Sequence, residues 1–428
     1  MVKNCRFIVS GLLFLLFMCV GALLNVNVAL SQDYQSVPII LKASEMLPKE
    51  WLKGPNYTIK ENVNNDGVVS TYELDTTYGS VTAESMVLLL KRIHELKAIH
   101  KMEQLQGTDV FMKAAQGAAT GPLKTAKGLV EDPAGTASAV GSGIGRFFSR
   151  VSDSVTSDDP YKAGAVQSAL GQAATKREFA YQFGVDPYSP YQPLQKTLDS
   201  VAWTATSGSL TVKAAFSAIP GGAGTVVSLT GTADSLKSLI RDKTPSELHA
   251  INAQRLSSMG VSGSLQKVFL NNFSYNPWEK TLLVGELVNM KNVKDRSKFI
   301  TAACAAQGEP MAVFMRVMAQ LMGLYNEKRK SVQSYVEADN LPLLQKKDGT
   351  VVAVLPIDNL AWTRRFANKE KAVSEAIKKI ARVKGKEMLV VGTVNPVAKK
   401  ALEARGWKVE EKFAEAIFRE MVGKTMSQ

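Results

Sequence analysis

The chain has 428 residues, 45% of them hydrophobic and 21% charged, and a formal net charge of +13. That balance is ordinary for a globular protein, and a chain of this length can bury a sizeable core without covalent staples. Its cysteines are Cys5, Cys19 and Cys304, and removal of the segment carrying the first two excludes an internal disulfide framework.

The first 31 residues have the three parts of a secretory signal peptide: Lys3 and Arg6, a nearly unbroken apolar run from Phe7 to Leu24, and the small-residue site Ala29, Leu30, Ser31. Cleavage before Gln32 is expected, with export to a bacterial periplasm or cell envelope. The apolar run is just long enough to span a bilayer, so a retained anchor is the alternative.

Tyr57 to Val63 and Val68 to Asp75 are β-branched and aromatic runs joined by Asn64, Asn65, Asp66 and Gly67, which predicts a β-hairpin. Asn62, Asn64, Asp66 and Glu73 also fall at calcium-loop spacing around Gly67. An asparagine at the first position and strand-like flanks argue against a calcium site. From Val81 to Leu105 the apolar residues Met86, Leu89, Leu90, Ile93, Leu96 and Ile99 mark one face of a helix with charges on the other. His94 and His100 lie on well-separated sides of such a helix, unlike the paired histidines of a zinc protease. They read as partly exposed helix residues.

Residues 107–165 form a Gly/Ala-rich helical segment and linker. Asp132 and Pro133 begin a helix expected to reach 151, and Gly141, Gly143 and Gly145 require close packing against another backbone or a lipid interface. The polar stretch 152–163 reads as a linker. Residues 166–345 read as a helical domain, with a Pro-rich turn at 185–191. An apolar stretch at 199–234, broken at Pro220, Gly221 and Gly222, reads as a buried helical hairpin or, alternatively, a re-entrant membrane hairpin. Further helices are expected over 246–258, 264–271, 277–290, 294–307 and 309–326. Met311, Met315, Met318 and Met322 read as core filler rather than copper ligands, because no His or Cys joins the stripe. Cys304, within Ala302 to Ala306, reads as a buried small residue.

The last segment, 346–428, alternates strand and helix. Strands at Val351 to Ile357, Met388 to Gly392 and Trp407 to Lys412 surround helices at Lys369 to Arg382 and from Pro396, implying a small parallel sheet. Ligands gather beyond the carboxyl ends of such strands, which makes Asp358, Asn359, Thr393 and Asn395 the candidate ligand-binding residues. The helix start at Asn395 and Pro396 suits an anion.

Charge is unevenly placed: residues 32–279 carry 23 Lys and Arg against 23 Asp and Glu, whereas 280–428 carry 27 against 16. Outside the cytoplasm a basic third of this kind meets anionic lipid head groups or acidic envelope polymers. Lys328, Arg329, Lys330, Arg364 and Arg365 are the candidate contacts. Nucleic acid is not expected, because base stacking needs aromatics among the cations and only Trp362 and Phe366 flank Arg364 and Arg365.

No nucleophile-elbow, phosphate-loop or metal-ligand pattern stands out, so no cofactor or metal is expected and no catalytic residue is assigned. Asn56-Tyr57-Thr58 and Asn272-Phe273-Ser274 fit glycosylation sequons, which matter only for a eukaryotic source. The expectation is an α+β protein, mainly helical, with an N-terminal β-hairpin plus amphipathic helix (32–106) and a small C-terminal α/β domain of βαβαβ type. It acts by binding an anionic envelope surface or partner. The alternatives are an envelope enzyme with its site in the C-terminal domain, and a membrane-active protein using the Gly/Ala-rich segments.

Overall fold

A computed structural model describes residues 34–120, 160–218 and 231–415. The expected signal peptide, the expected helix over 133–151 and the break at Pro220 to Gly222 lie outside the described residues. The fold is mixed helix and sheet, of α+β type.

Near the N-terminus, strand β1 (Ile39–Lys42) runs into a short helix α1 (Ala43–Met46). Strands β2 (Lys53–Gly54), β3 (Tyr57–Ile59), β4 (Asn62–Asn65), β5 (Ser70–Thr76) and β6 (Gly79–Glu84) complete a six-stranded antiparallel sheet. β5 is its axis: β3 and β4 pair along one edge, as at Ile59–Leu74 and Asn65–Ser70, and β6 pairs along the other, as at Tyr72–Ala83. Alternation on β5 turns Ser70, Tyr72 and Leu74 inward. The expected first strand, Tyr57 to Val63, is thus two strands interrupted at Lys60 and Glu61. The turn into β5 is set by Asp66, whose Oδ1 accepts from the amides of Val68 and Val69 at 2.9 and 2.8 Å, with Gly67 at φ +100.

Residues 81–84, expected to begin a helix, belong to β6. Helix α2 (Met86–Gln106) starts only after Ser85, whose hydroxyl accepts from the amide of Leu88 at 3.3 Å. Helices α3 (Asp109–Thr120), α4 (Pro160–Phe183), α5 (Gln192–Ser207) and α6 (Val212–Ser217) follow. Ile99, Met102, Leu105, Phe179, Leu194 and Leu198 fill the core between them. Pro160 opens α4, so the last four residues of the stretch expected as a linker are helical.

A second helical group comprises α7 (Gly231–Asp242), α8 (Pro245–Ser258), α9 (Gly263–Leu270), α10 (Pro277–Asn289), α11 (Ser297–Ala303) and α12 (Gly308–Arg329). Thr244 and Glu247 form a reciprocal capping box at the start of α8. The helix expected over 294–307 is shorter because Lys294 instead exchanges backbone hydrogen bonds with Gln333 and Tyr335. Along α12, Met318 and Met322 are wholly buried while Met311 stands half out in solvent. Cys304 caps α11 and is half-buried rather than buried, and burial pushes its thiol pKa up.

The C-terminal part holds β7 (Val332–Ala338), β8 (Leu341–Lys346), β9 (Thr350–Leu355), β10 (Asn359–Leu360), α13 (Arg364–Ile377), β11 (Gly385–Val390), β12 (Thr393–Val394), α14 (Pro396–Ala404) and β13 (Trp407–Glu410). Five of the strands make one sheet in the order β13-β11-β9-β8-β7. β9, β11 and β13 are parallel, and β8 and β7 add antiparallel strands to them. The boundary expected at 345/346 therefore falls inside one sheet. Adjacent residues of β11 define its two faces. Lys386 lies over the Trp407 ring and 4.0 Å from Glu370 of α13, whereas Glu387 accepts from Tyr325 of α12 at 3.2 Å. Helix α12 thus covers one face and α13 the other, which is why β9 is buried at every residue but its first.

Candidate functional site

Beyond the carboxyl ends of β9 and β11 the chain makes a second small parallel pair, β10 with β12, in the register Asn359–Thr393 and Leu360–Val394. This pairing brings the four candidate ligand residues together. Asn359 Nδ2 donates to Thr393 Oγ1 at 3.2 Å, the Thr393 amide donates to the Asp358 carbonyl at 3.0 Å, and the Asn395 amide donates to the Leu360 carbonyl at 2.8 Å. Asn395 Oδ1 accepts from the Val397 amide at 2.9 Å and so caps α14. Such close passage requires Gly392, where a Cβ would stand 1.8 Å from the Asp358 carbonyl oxygen.

Both oxygens of Asp358 are engaged. Oδ1 accepts from the Asn359 amide at 3.0 Å, and Oδ2 accepts from the Tyr72 hydroxyl at 2.7 Å. Burial pushes the Asp358 carboxyl pKa up, opposed by the hydroxyls of Tyr72 and Ser70. Burial, and then the carboxylate beside it, carries the Tyr72 phenol well above its ordinary value.

The turn between β4 and β5 completes the contact. Asn65 Nδ2 donates to the Asn359 carbonyl at 3.2 Å, the Ala361 amide donates to the Gly67 carbonyl at 2.8 Å, and Arg365 pairs with Asp66 at 3.0 Å. The space a Gly67 Cβ would need is taken by the Thr363 methyl, 2.4 Å away. The N-terminal sheet therefore occupies the place where open α/β sheets hold ligands. The calcium-loop spacing has a structural explanation too: Asn62 accepts from Lys42 at 2.9 Å and Glu73 from Lys60 at 2.9 Å, while Asp66 organises its turn.

The candidate surface cations fall in two places. Lys328, Arg329 and Lys330 end α12, all exposed, where positive charge offsets the carbonyl end of the helix dipole. Arg329 also pairs with Glu410 at 3.2 Å. Arg364 and Arg365, both exposed, open α13. The apolar residues of α13, Phe366, Val373 and Ile377, face the sheet, which leaves Arg364 and Lys371, seven residues apart, on its solvent side, followed by Lys378 at its C-cap. Across 364–412 there are 14 Lys and Arg against 6 Asp and Glu, so the solvated side of this layer is strongly positive.

Sequence patterns gave no sign of a buried charge network on α2, α10 and α12. Lys91 Nζ lies 3.3 Å from Asp186, 3.2 Å from Glu279 and 3.0 Å from Glu309. Arg316 Nε reaches Glu279 at 2.7 Å, and Arg92 joins Glu309 at 2.9 Å and also Glu95. Ser189 and Asn276 donate to Glu95 and Asp186. Burial pushes Glu95 and Asp186 up, whereas at Glu279 the cations Arg316 and Lys91 outweigh burial and hold the carboxyl down. Among the described residues no group of His, Cys, Asp and Glu has an arrangement able to hold a metal. What this network does chemically is fix three helices and the 184–191 loop in one register.

Both sequon asparagines are spent inside the fold. Asn56 Nδ2 donates to Tyr78 at 2.8 Å and Glu103 at 3.2 Å, and Asn272 Nδ2 donates to the carbonyls of Cys304 and Ala306, each at 3.1 Å. Among the described residues no helix is long and apolar enough to cross a membrane. No protein-family model, no curated protein and no solved structure matches the chain.

Proposed function

We propose that the protein is an exported, envelope-associated binding protein whose basic C-terminal α/β segment, residues 346–428, contacts an anionic surface or partner. The observation that carries this reading is the exposed series Arg364, Lys371 and Lys378 along α13, set in a layer with 14 cations against 6 anions. Glu375 offsets one of them through its 2.7 Å pair with Lys378, and the series keeps a net positive charge. Each cation held near an anionic surface contributes about 1 kcal/mol, so three together alter affinity by about two orders of magnitude.

The junction at Asp358 supports binding over catalysis. A general acid or base needs an oxygen within reach of a substrate, and both Asp358 oxygens are committed to partners in the chain. In this reading the hairpin of β4 and β5 braces the βαβαβ segment, and the C-terminal helices do the contacting. The test is binding of the exported chain to phosphatidylglycerol vesicles and to envelope fractions, comparing wild type with a triple Arg364→Glu, Lys371→Glu, Lys378→Glu variant. The reading predicts loss of binding in the variant. Equal binding by both proteins would end it.

A further inference from the structure

Three connections meet at the amino ends of the parallel strands, the end of the C-terminal sheet opposite Asp358. They are the β8–β9 turn at 346–349, the α13–β11 loop at 378–384 and the α14–β13 turn at 405–406. Thr350 pairs with Gly385 and Lys386 with Trp407, which sets the three side by side. The loop and the first turn are also tied directly: the Lys384 amide donates to the Gly349 carbonyl at 3.1 Å, and Gln345 Nε2 donates to the Ala381 carbonyl at 2.9 Å. A Cβ on Gly349 would stand 2.2 Å from the Arg382 carbonyl oxygen, and Arg382 is itself held at φ +62. On the other side, a Cβ on Gly406 would meet Lys386 Cε at 3.9 Å. Side chains at this end therefore project from a fixed backbone.

The carboxylates in and beside these connections are Asp348, Glu370, Glu375, Glu387 and Glu403, and four of them are already spent. Lys346 lies 3.4 Å from Asp348 and 3.1 Å from Glu387, Lys378 lies 2.7 Å from Glu375, and Arg405 and Lys386 lie 3.2 and 4.0 Å from buried Glu370. Glu403 is exposed and acts on Lys399, one turn earlier on its own helix. Lys347, Lys379, Arg382 and Lys384 remain, all exposed. Among the described residues none of these four has a carboxylate within ion-pair distance, and Lys379 only adds to the field at Glu375 from further off. Four like charges crowded on a fixed surface cost stability by repulsion, a cost that a bound anion removes.

What the surface lacks narrows the anion. Trp407 and Trp362, which lie under Lys386 and Arg405, are buried at 2% exposure, so they offer no ring to a nucleobase. Among the described residues no exposed large hydrophobic side chain comes from the three connections, so nothing there enters a bilayer. Three of the four free cations are lysines, point charges that suit phosphate, whereas paired recognition of carboxylates draws on the arginine fork. We propose that this end of the sheet binds a linear phosphodiester polymer without nucleobases, whose phosphates meet Lys347, Lys379, Arg382 and Lys384. The inference rests on the reading of residues 346–428 as a basic contact segment, and it adds to the side of α13 a second, end-on contact with a named partner chemistry.

The test is binding of poly(glycerol phosphate) to the full exported chain across ionic strength, beside a Lys347→Gln, Lys379→Gln, Arg382→Gln, Lys384→Gln variant. Four neutralised phosphates predict a slope of log affinity against log salt of about −3. The quadruple variant is expected to lose about tenfold or more in affinity at low salt and to flatten that slope. It should melt no earlier than wild type, because only repulsion is removed. Should it melt early, Lys347→Gln with Lys384→Gln alone is expected to halve the slope with the fold kept. Unchanged affinity and slope in these variants overturn the proposal, as does equal or tighter binding of polygalacturonate or single-stranded DNA of matched charge. The Arg364→Glu, Lys371→Glu, Lys378→Glu variant separates the two contacts: it is expected to lose vesicle binding and keep most of its polymer binding. Polymer binding lost there and kept in the quadruple variant ends this inference and leaves the α13 contact standing. Vesicle binding absent from wild type, with polymer binding lost only in the quadruple variant, does the reverse.

Discussion

Tyr72 of β5 donates a 2.7 Å hydrogen bond to Asp358, a residue 286 positions away beyond the end of β9, and both are closed off from solvent. This bond joins the N-terminal sheet to the carboxyl ends of the parallel strands. Tyr72→Phe leaves a buried carboxylate short of a donor and is expected to lower unfolding free energy by about 1–3 kcal/mol. A double-mutant cycle with Asp358→Asn should return a coupling above about 0.5 kcal/mol. Because burial raises the Asp358 pKa in the folded state, that carboxyl contributes stability below its unfolded pKa and loses it as pH rises through the folded value. Asp358→Asn should remove that part of the decline, read from denaturant titrations across the mildly acidic range.

Gly67 meets the same junction with its backbone, at φ +100 and with the Thr363 methyl against it. Gly67→Ala adds both conformational strain and a clash, and a loss of about 1–3 kcal/mol is expected. The local readout is hydrogen exchange at the Ala361 amide, which donates to the Gly67 carbonyl. Exchange there should accelerate more than at amides in the core of α5.

Lys91 faces three carboxylates at 3.0–3.3 Å, its side chain 11% exposed. Lys91→Met leaves Asp186, Glu279 and Glu309 together without their shared cation, and a cost of about 3–5 kcal/mol is expected in urea unfolding. Lys371→Met, on the solvent side of α13, is the matched control and should move stability by less than about 0.5 kcal/mol.

His94, whose Nε2 lies 3.2 Å from the Phe183 carbonyl, has its pKa lowered to about 4 by burial, with Lys237 and Lys97 adding to the effect. The folded state binds its proton less readily than the unfolded state, whose value is near 6.5. His94 therefore contributes nothing unfavourable above the unfolded pKa, and stability falls as pH drops from there towards about 4, by about 2–3 kcal/mol. In His94→Gln that portion of the acid slope should be missing; an unchanged slope would assign it to other groups.

Helix α2 illustrates what sequence pattern can and cannot carry. Leu89, Ile93, Leu96 and Ile99 mark its inner face by spacing alone, and all four are buried. Arg92 and Glu95, on what the pattern treats as the outer side, are buried as well, at 5% and 1% exposure. Their partners Glu309 and Ser189 are 217 and 94 residues away, so nothing local announces them. The pairing of β7 with β8 is a different kind of miss, because Asp339 and Asn340 both adopt positive φ and their residue types signal a tight hairpin turn. At the candidate site, Asp358, Asn359, Thr393 and Asn395 were legible as one cluster because strand ends converge in a parallel sheet. Occupation of that place by the β4–β5 turn was not, since it depends on a tertiary approach between segments about 290 residues apart.

The most direct test of the account is the salt dependence of binding to phosphatidylglycerol vesicles by the exported chain, measured beside the Arg364→Glu, Lys371→Glu, Lys378→Glu variant. Contact through the basic layer predicts wild-type affinity that falls steeply as the Debye length shrinks, and a variant that binds weakly at every ionic strength. Wild-type affinity that is independent of salt, or matched by the variant, would contradict it.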